Sequence, residues 1–215
     1  MYTYILFDFD GTLFDTSEGV TNSAAYALEK MRLPVPENRN ELKKFIGPPL
    51  LDSFHQFYGL DETDAKTAMI RYREYYKNKG IFELKPYPGM EELLKQLQAS
   101  GRTAIVATSK PEIYTKRILE HVGWTGYFSF VGGATMDEKT RATKPQILQY
   151  ILDTCHITDI REAVMVGDRH YDIRGARAFG MDSIGVLYGF GTKEELSQAG
   201  ATYLAEDVGS LLCYL

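Results

Sequence analysis

Cysteine is almost missing from this chain: among 215 residues only Cys155 and Cys213 carry thiols. They lie far apart and show no metal-ligand spacing. A basic leader followed by a long apolar run is also missing, since the chain opens Met-Tyr-Thr-Tyr-Ile-Leu-Phe-Asp. No signal peptide is therefore read, and a reducing cytoplasm is the expected compartment. No apolar stretch approaches the ~20 residues that span a bilayer, so no membrane partner is expected. Basic charge is not in excess either. A net charge of -5 argues against a nucleic-acid polymer or an anionic membrane surface, both of which want clustered Lys and Arg, and leaves room only for a local basic pocket. Internal repeats and low-complexity tracts are lacking as well. What is present, 44% hydrophobic and 25% charged residues, suffices for one substantial core, or one core with a smaller appended domain.

The apolar run Tyr4 to Phe7, broken by Asp8 and Gly11, reads as a buried strand ending in a polar loop. Similar short, non-alternating runs recur at Thr103 to Ala107, Phe128 to Val131, Ala163 to Val166 and Ser183 to Leu187, with a weaker one near Tyr203. Helix-length segments lie between them: Met90 to Ala99, Glu112 to His121, Gln146 to Cys155 and Ile173 to Phe179. Strand then helix, repeated, predicts a doubly wound, Rossmann-like α/β parallel sheet with ligands beyond the carboxyl ends of its strands.

From about Thr16 to Phe82 the rhythm changes to consecutive amphipathic helices, Glu18 to Met31, Arg39 to Phe45, Leu50 to Tyr58 and Glu62 to Lys79, separated by Pro and Gly turns. The expected organisation is an α/β core of residues 1–15 and 83–215 with an inserted α-helical cap domain of residues 16–82. An insert leaving from the carboxyl end of a strand is placed to act as a lid.

Asp8-Phe9-Asp10-Gly11-Thr12 is the strongest local signal. Residues i and i+2 of a strand project to one side, so the two carboxylates converge, which is unfavourable unless a cation lies between them or one is protonated. Gly11 frees the backbone to turn, and Thr12 can offer a hydroxyl or an amide to an anion.

The stretch Asp8-Phe-Asp-Gly-Thr-Leu-Phe-Asp15-Thr resembles the opening motif of the haloacid dehalogenase superfamily, and three further motifs follow in the family's order. Ile105-Val-Ala-Thr108-Ser-Lys-Pro is similar to the second, Lys144-Pro145 to the third, and Val166-Gly167-Asp168-Arg-His-Tyr-Asp172 to the fourth. The resemblance covers essentially the whole chain. It implies Asp8 as nucleophile and Asp10 as general acid and base. Gly11, Thr12, Thr108, Ser109 and Lys144 would bind phosphate. Magnesium would be held by the side chains of Asp8 and Asp168 and the backbone carbonyl of Asp10. Asp172 would orient Lys144 or a metal-bound water, and Gly167 is a second supporting residue. Arg169 departs from the small hydroxyl residue common at its position, and Arg169-His170 reads as a solvated pair.

Phe45-Ile-Gly47-Pro-Pro-Leu50 resembles the cap loop of phosphoglycolate phosphatase-like relatives, and Arg73 with Lys77 can supply positive charge for specificity. Tyr72, Tyr75, Tyr76 and Phe82 read as core rather than as a base-stacking row. Gly185-Val-Leu-Tyr-Gly189-Phe-Gly191 lacks a Rossmann context and is not read as a nucleotide loop. The expected activity is magnesium-dependent hydrolysis of a small phosphorylated metabolite, phosphoglycolate phosphatase-like or 5'-nucleotidase-like, by a monomer or homodimer. A sugar phosphomutase is the enzymatic alternative, and a phosphate-sensing or receiver-like binding protein the alternative of another class.

Overall fold

Tyr4–Phe7 forms strand β1, with its last three residues wholly buried, as a strand covered on both faces requires. The structure, a computed structural model, describes residues 2–137 and 140–215. After β1 come helices α1 (Ser17–Lys30), α2 (Leu50–Tyr58) and α3 (Glu62–Tyr76), with a 3₁₀ turn over Arg39–Phe45 where a regular helix was expected. The chain then alternates: α4 (Met90–Ala99), β2 (Thr103–Pro111), α5 (Glu112–His121), β3 (Phe130–Ala134), α6 (Lys144–Thr154), β4 (Ala163–Gly167), α7 (His170–Arg177) and β5 (Asp182–Val186). It closes with α8 (Lys193–Ala199), β6 (Tyr203–Ala205) and α9 (Val208–Leu211). The reading from sequence did not anticipate α8 or α9.

The six strands form one parallel sheet in the order β3-β2-β1-β4-β5-β6. β1 is interior: Phe7 pairs with Val106 on one side and Val166 on the other. Because strand side chains alternate, Leu6, Ile105 and Met165 share one face and pack with Ile147, Leu148 and Ile151 of α6 and Ala176 of α7. α4 and α5 lie against β2.

β3 begins two residues later than its apolar run suggests and continues through Gly132 and Gly133. Both glycines are there for space. A Cβ on Gly132 would stand 2.4 Å from Ile151 Cγ1, and one on Gly133 would stand 2.8 Å from the carbonyl oxygen of Lys110. α6 begins at Lys144 rather than Gln146, because the Gln146 side chain folds back to accept from the backbone of Thr143 at 3.1 Å and Ala142 at 3.0 Å, with Pro145 in the first turn.

Two compact units make up the chain: one runs up to Asp15 and from Pro86 to Leu215, the other from Thr16 to Lys85. The return falls at Pro86, not at 83, because Glu83 is tied into the helical unit. Its carbonyl accepts from Gly19 N at 3.0 Å, and its carboxylate accepts from Asn22 Nδ2 at 3.0 Å and Tyr75 Oη at 2.9 Å. Within that unit Tyr72 and Tyr76 are buried and stacked with centroids 5.5 Å apart. His55 Nδ1 pairs with the carbonyl of Leu60 at 2.5 Å. No helix among the described residues is long and apolar enough to cross a membrane.

Leu6 is wholly enclosed on the α6/α7 face. Leu6→Ala is expected to cost about 2–5 kcal/mol through lost contact and a residual cavity. Urea unfolding followed by circular dichroism should show this as a lowered midpoint, and an unmoved midpoint would contradict the packing.

Candidate active site

Backbone hydrogen bonding continues one residue past β1, with Asp8 N donating to Val166 O at 2.8 Å, so the Asp8 carboxyl is set at the carboxyl edge of the sheet. The chain then turns at Gly11, whose φ of +80° lies in the left-handed region. Space demands glycine there too, since a Cβ would stand 2.2 Å from Asp168 Oδ2. Thr12 is fully buried, its hydroxyl aimed at Asp168 Oδ1 at a long 3.5 Å.

Lys144, at the start of α6, is buried and brings its ammonium to three oxygens: Asp8 Oδ1 at 2.9 Å, the carbonyl of Ala107 at 2.7 Å and Asp172 Oδ1 at 2.7 Å. Its stem passes over Gly175 of α7, where a Cβ would lie 2.6 Å from Lys144 Cγ. The contact to Asp172 Oδ1 is a buried ion pair. Asp172 Oδ2 accepts from Arg169 N at 3.1 Å, and the carboxylate passes beneath Gly167, where a Cβ would stand 2.3 Å from Asp172 Cγ.

One cation among several carboxylates shapes the titration of the group. Burial, then the charge of Asp172, push the Asp8 carboxyl up to about 7 against the pull of Lys144. Burial works against the Lys144 charge, but Asp172 and Asp8 outweigh it and hold the ammonium above its ordinary value. The partners shift in the same direction because Lys144 gains two carboxylates whereas Asp8 has only a share of one lysine. Burial, then Asp172 and Asp8, also hold Asp168 well above the usual carboxylate range, opposed by the amide of Phe190.

Asp10 is turned elsewhere. Its Oδ1 is 2.9 Å from the ammonium of Lys110, a lysine whose side chain is almost wholly enclosed. Thr108, buried within β2 where its register with β3 begins to shift, accepts from Lys110 N at 3.1 Å, which fixes its hydroxyl with the proton as the group it can offer. Ser109 beside it is half-buried. Gly47 (φ +103°), the half-buried Arg73 on α3 and the exposed Lys77 at its C-terminal end belong to the helical unit.

Asp8, Asp168 and Asp172 each offer a carboxylate oxygen within 4.8 Å of one another. Three buried carboxylates, two with raised affinity for protons and together outnumbering the one lysine between them, form a hard oxygen-donor set suited to a divalent cation. The Asp10 carboxylate is outside this group.

Arg169 and His170 are a correction. They are not a solvated pair but half-buried, gripped by Glu195 of α8: Oε1 accepts from Arg169 Nε at 3.0 Å, His170 Nδ1 at 2.7 Å and His170 N at 2.9 Å. Burial disfavours the Glu195 charge, but these donors outweigh it and hold the carboxyl down to about 2. Lys110 was legible in principle, since it lies within the stretch that resembles the second motif. Glu195 was not, because nothing in its local pattern marks it.

Residues 5–186 match the family described as haloacid dehalogenase-like hydrolase. The chain belongs to that family. A 5'-nucleotidase of Pseudomonas aeruginosa is 39% identical over 210 residues, covering 98% of this chain and 94% of that protein. The tyrosine-protein kinase PtkA of Mycobacterium tuberculosis is 34% identical over 198 residues, covering 92% of this chain and 66% of the other. Among solved structures, that of a predicted phosphatase from Clostridium acetobutylicum is 44% identical, with a TM-score of 0.93 and 100% coverage of both chains.

Asp8 binds protons more tightly folded than unfolded, so without metal the native state holds the extra proton between the ordinary carboxylate range and about 7. Stability of the metal-free chain should therefore fall as pH rises through that window. Asp8→Asn should flatten the slope, which urea midpoints in EDTA at pH 5, 6, 7 and 8 would read; a slope unchanged by the substitution would contradict the assignment.

Proposed function

We propose that this phosphoric monoester hydrolase acts on small phosphorylated metabolites through an aspartyl-phosphate on Asp8, with Mg2+ held by Asp8, Asp168 and the backbone carbonyl of Asp10. The observation that carries the reading is the Asp8 carboxylate at the end of the central strand, paired with the buried Lys144 at 2.9 Å and followed two residues on by a second carboxyl group. Bound there, Mg2+ would offset carboxylate charge and polarise a phosphoryl oxygen.

In the first step Asp8 Oδ attacks phosphorus, and the bond from phosphorus to the leaving oxygen breaks while Asp10 delivers its proton to that oxygen. In the second step water attacks phosphorus, Asp10 takes the water's proton, and the phosphorus–Asp8 bond breaks to restore the carboxylate. Lys144 holds Asp8 in place and stabilises the negative charge that gathers on the transferring group. Thr12, Thr108 and Ser109 are assigned to the phosphoryl oxygens, and Gly11 to the turn that admits them. Asp172 keeps Lys144 charged and in position.

The choice of leaving group is assigned to the helical unit, with Gly47, Arg73 and Lys77 as its specificity residues, a reading supported by the unit's insertion immediately after the first motif. The name of the 39% identical relative makes nucleoside monophosphates the first substrate class to test. A cytoplasmic monomer or homodimer is the proposed setting, in keeping with two unpaired cysteines.

The relative named as a tyrosine kinase supports a second reading, in which the phosphoryl group on Asp8 passes to an acceptor hydroxyl instead of water; a sugar phosphomutase is one form of it. Phosphate release from nucleoside monophosphates, phosphoglycolate and sugar phosphates, with Mg2+ and with EDTA, separates the two. Metal-dependent release is expected, lost in Asp8→Asn and reduced about 10²–10⁴-fold in Asp10→Asn. Wild-type rates in Asp8→Asn would sink the nucleophile assignment, and radiolabel moving to a sugar or peptide hydroxyl without phosphate release would favour the second reading.

A further inference from the structure

The glycine-bearing segment after β5, unexplained as a nucleotide loop, runs across the first and fourth motifs. Phe190 N donates to Asp168 Oδ2 at 2.7 Å. A Cβ on Gly191 would stand 1.9 Å from the carbonyl oxygen of Asp168, and one on Gly189 would stand 2.4 Å from both Asp168 Cβ and the carbonyl oxygen of Gly11. Tyr188 Oη donates to the carbonyl of Thr12 at 3.1 Å, and its ring lies 4.7 Å from that of Tyr87. Four residues beyond Gly191, Glu195 gathers the three donors of Arg169 and His170 on one oxygen. Asp168 is thus bonded at its carboxylate, closely packed at its carbonyl and tied through the two residues that follow it.

We propose that Tyr188–Glu195 is a positioning strap for the metal-ligating carboxylate of Asp168, with Gly189, Gly191 and Glu195 as its positioning residues; this rests on the metal reading above. The amide of Phe190 holds Oδ2 at 2.7 Å, whereas Oδ1 meets only the long 3.5 Å contact from the Thr12 hydroxyl, so the strap sets the orientation of the carboxylate. Glycine at 189 and 191 is what lets the backbone come close enough to make that contact. Glu195 stops the Asp168 loop from swinging away from it. Hydrogen bonds that orient a ligand in this way govern metal affinity even though they never touch the metal.

Calorimetric titration of the full chain with Mg2+, beside thermal unfolding in EDTA, tests the strap. The wild type should bind Mg2+ and Asp168→Asn should not. Glu195→Ala and Gly191→Ala should each weaken Mg2+ binding about 10–100-fold, with Glu195→Gln, which keeps the accepting oxygen, between Glu195→Ala and wild type. A purely architectural segment would instead lower the melting temperature in EDTA and leave the affinity of the folded protein unchanged. If the wild type binds Mg2+ and the folded variants match it within about twofold, the strap is wrong and the metal reading stands. If Gly191→Ala does not fold, the order of Glu195→Ala and Glu195→Gln decides. If the wild type shows no Mg2+ binding, the metal reading falls and the strap falls with it.

Discussion

A lysine ammonium buried among oxygens is the constraint on which the rest of this site depends. Lys144 contacts two carboxylates and one carbonyl, each from a different part of the chain: β1's end, the interior of β2 and α7. Without it two carboxylates would be enclosed with no positive charge beside them, a situation that costs several kcal/mol in a protein interior. The requirement reaches into the fold. α6 must begin at Lys144 for its side chain to point to the sheet, and α7 must carry glycine at 175 so that the lysine stem can pass. The small residues here are consequences of one charge being where it is.

The acids around that lysine are divided by their surroundings. Asp8 and Asp172 share Lys144, Asp10 has Lys110, and Asp168 is met by a backbone amide. Each carboxylate thus differs in burial and in the kind of donor facing it, and groups of one residue type can carry different tasks within a small volume. The balance still leaves more negative than positive charge on the enclosed side, which accounts for the upward shifts at Asp8 and Asp168.

Much of this was legible in the sequence for reasons that can be named. Parallel strands buried on both faces are short apolar runs, and β1, β2 and β4 stand out for that reason. Carboxylates at i and i+2 after such a run mark Asp8 and Asp10 in the sequence, but the expected convergence is not what the structure has, because Asp10 turns to Lys110. Other features had no local signature. Gly132 and Gly133 lie beyond the apolar run and are nevertheless strand, because the reason for them is the bulk of Ile151 and the approach of Lys110 from elsewhere in the chain. Arg169 and His170 look solvated because their partner lies on α8, a helix too short and too polar to stand out. The glycines at 189 and 191 resemble a ligand loop, and it is the closeness of Asp168 and of the Gly11 carbonyl that explains them.

The place of β1 in the sheet has a consequence for how the chain is made. β1 is an interior strand, and its neighbours lie about a hundred and about a hundred and sixty residues downstream, separations that make pairing slow because a long loop must close first. During synthesis the Tyr4–Phe7 segment therefore stays without either neighbour while the helical unit, a compact cluster of its own from Thr16 to Lys85, emerges. Only after Ala163–Gly167 has emerged can both edges of β1 be covered. A nascent chain stalled before that point exposes an unpaired apolar strand, which is where a chaperone would be expected to bind.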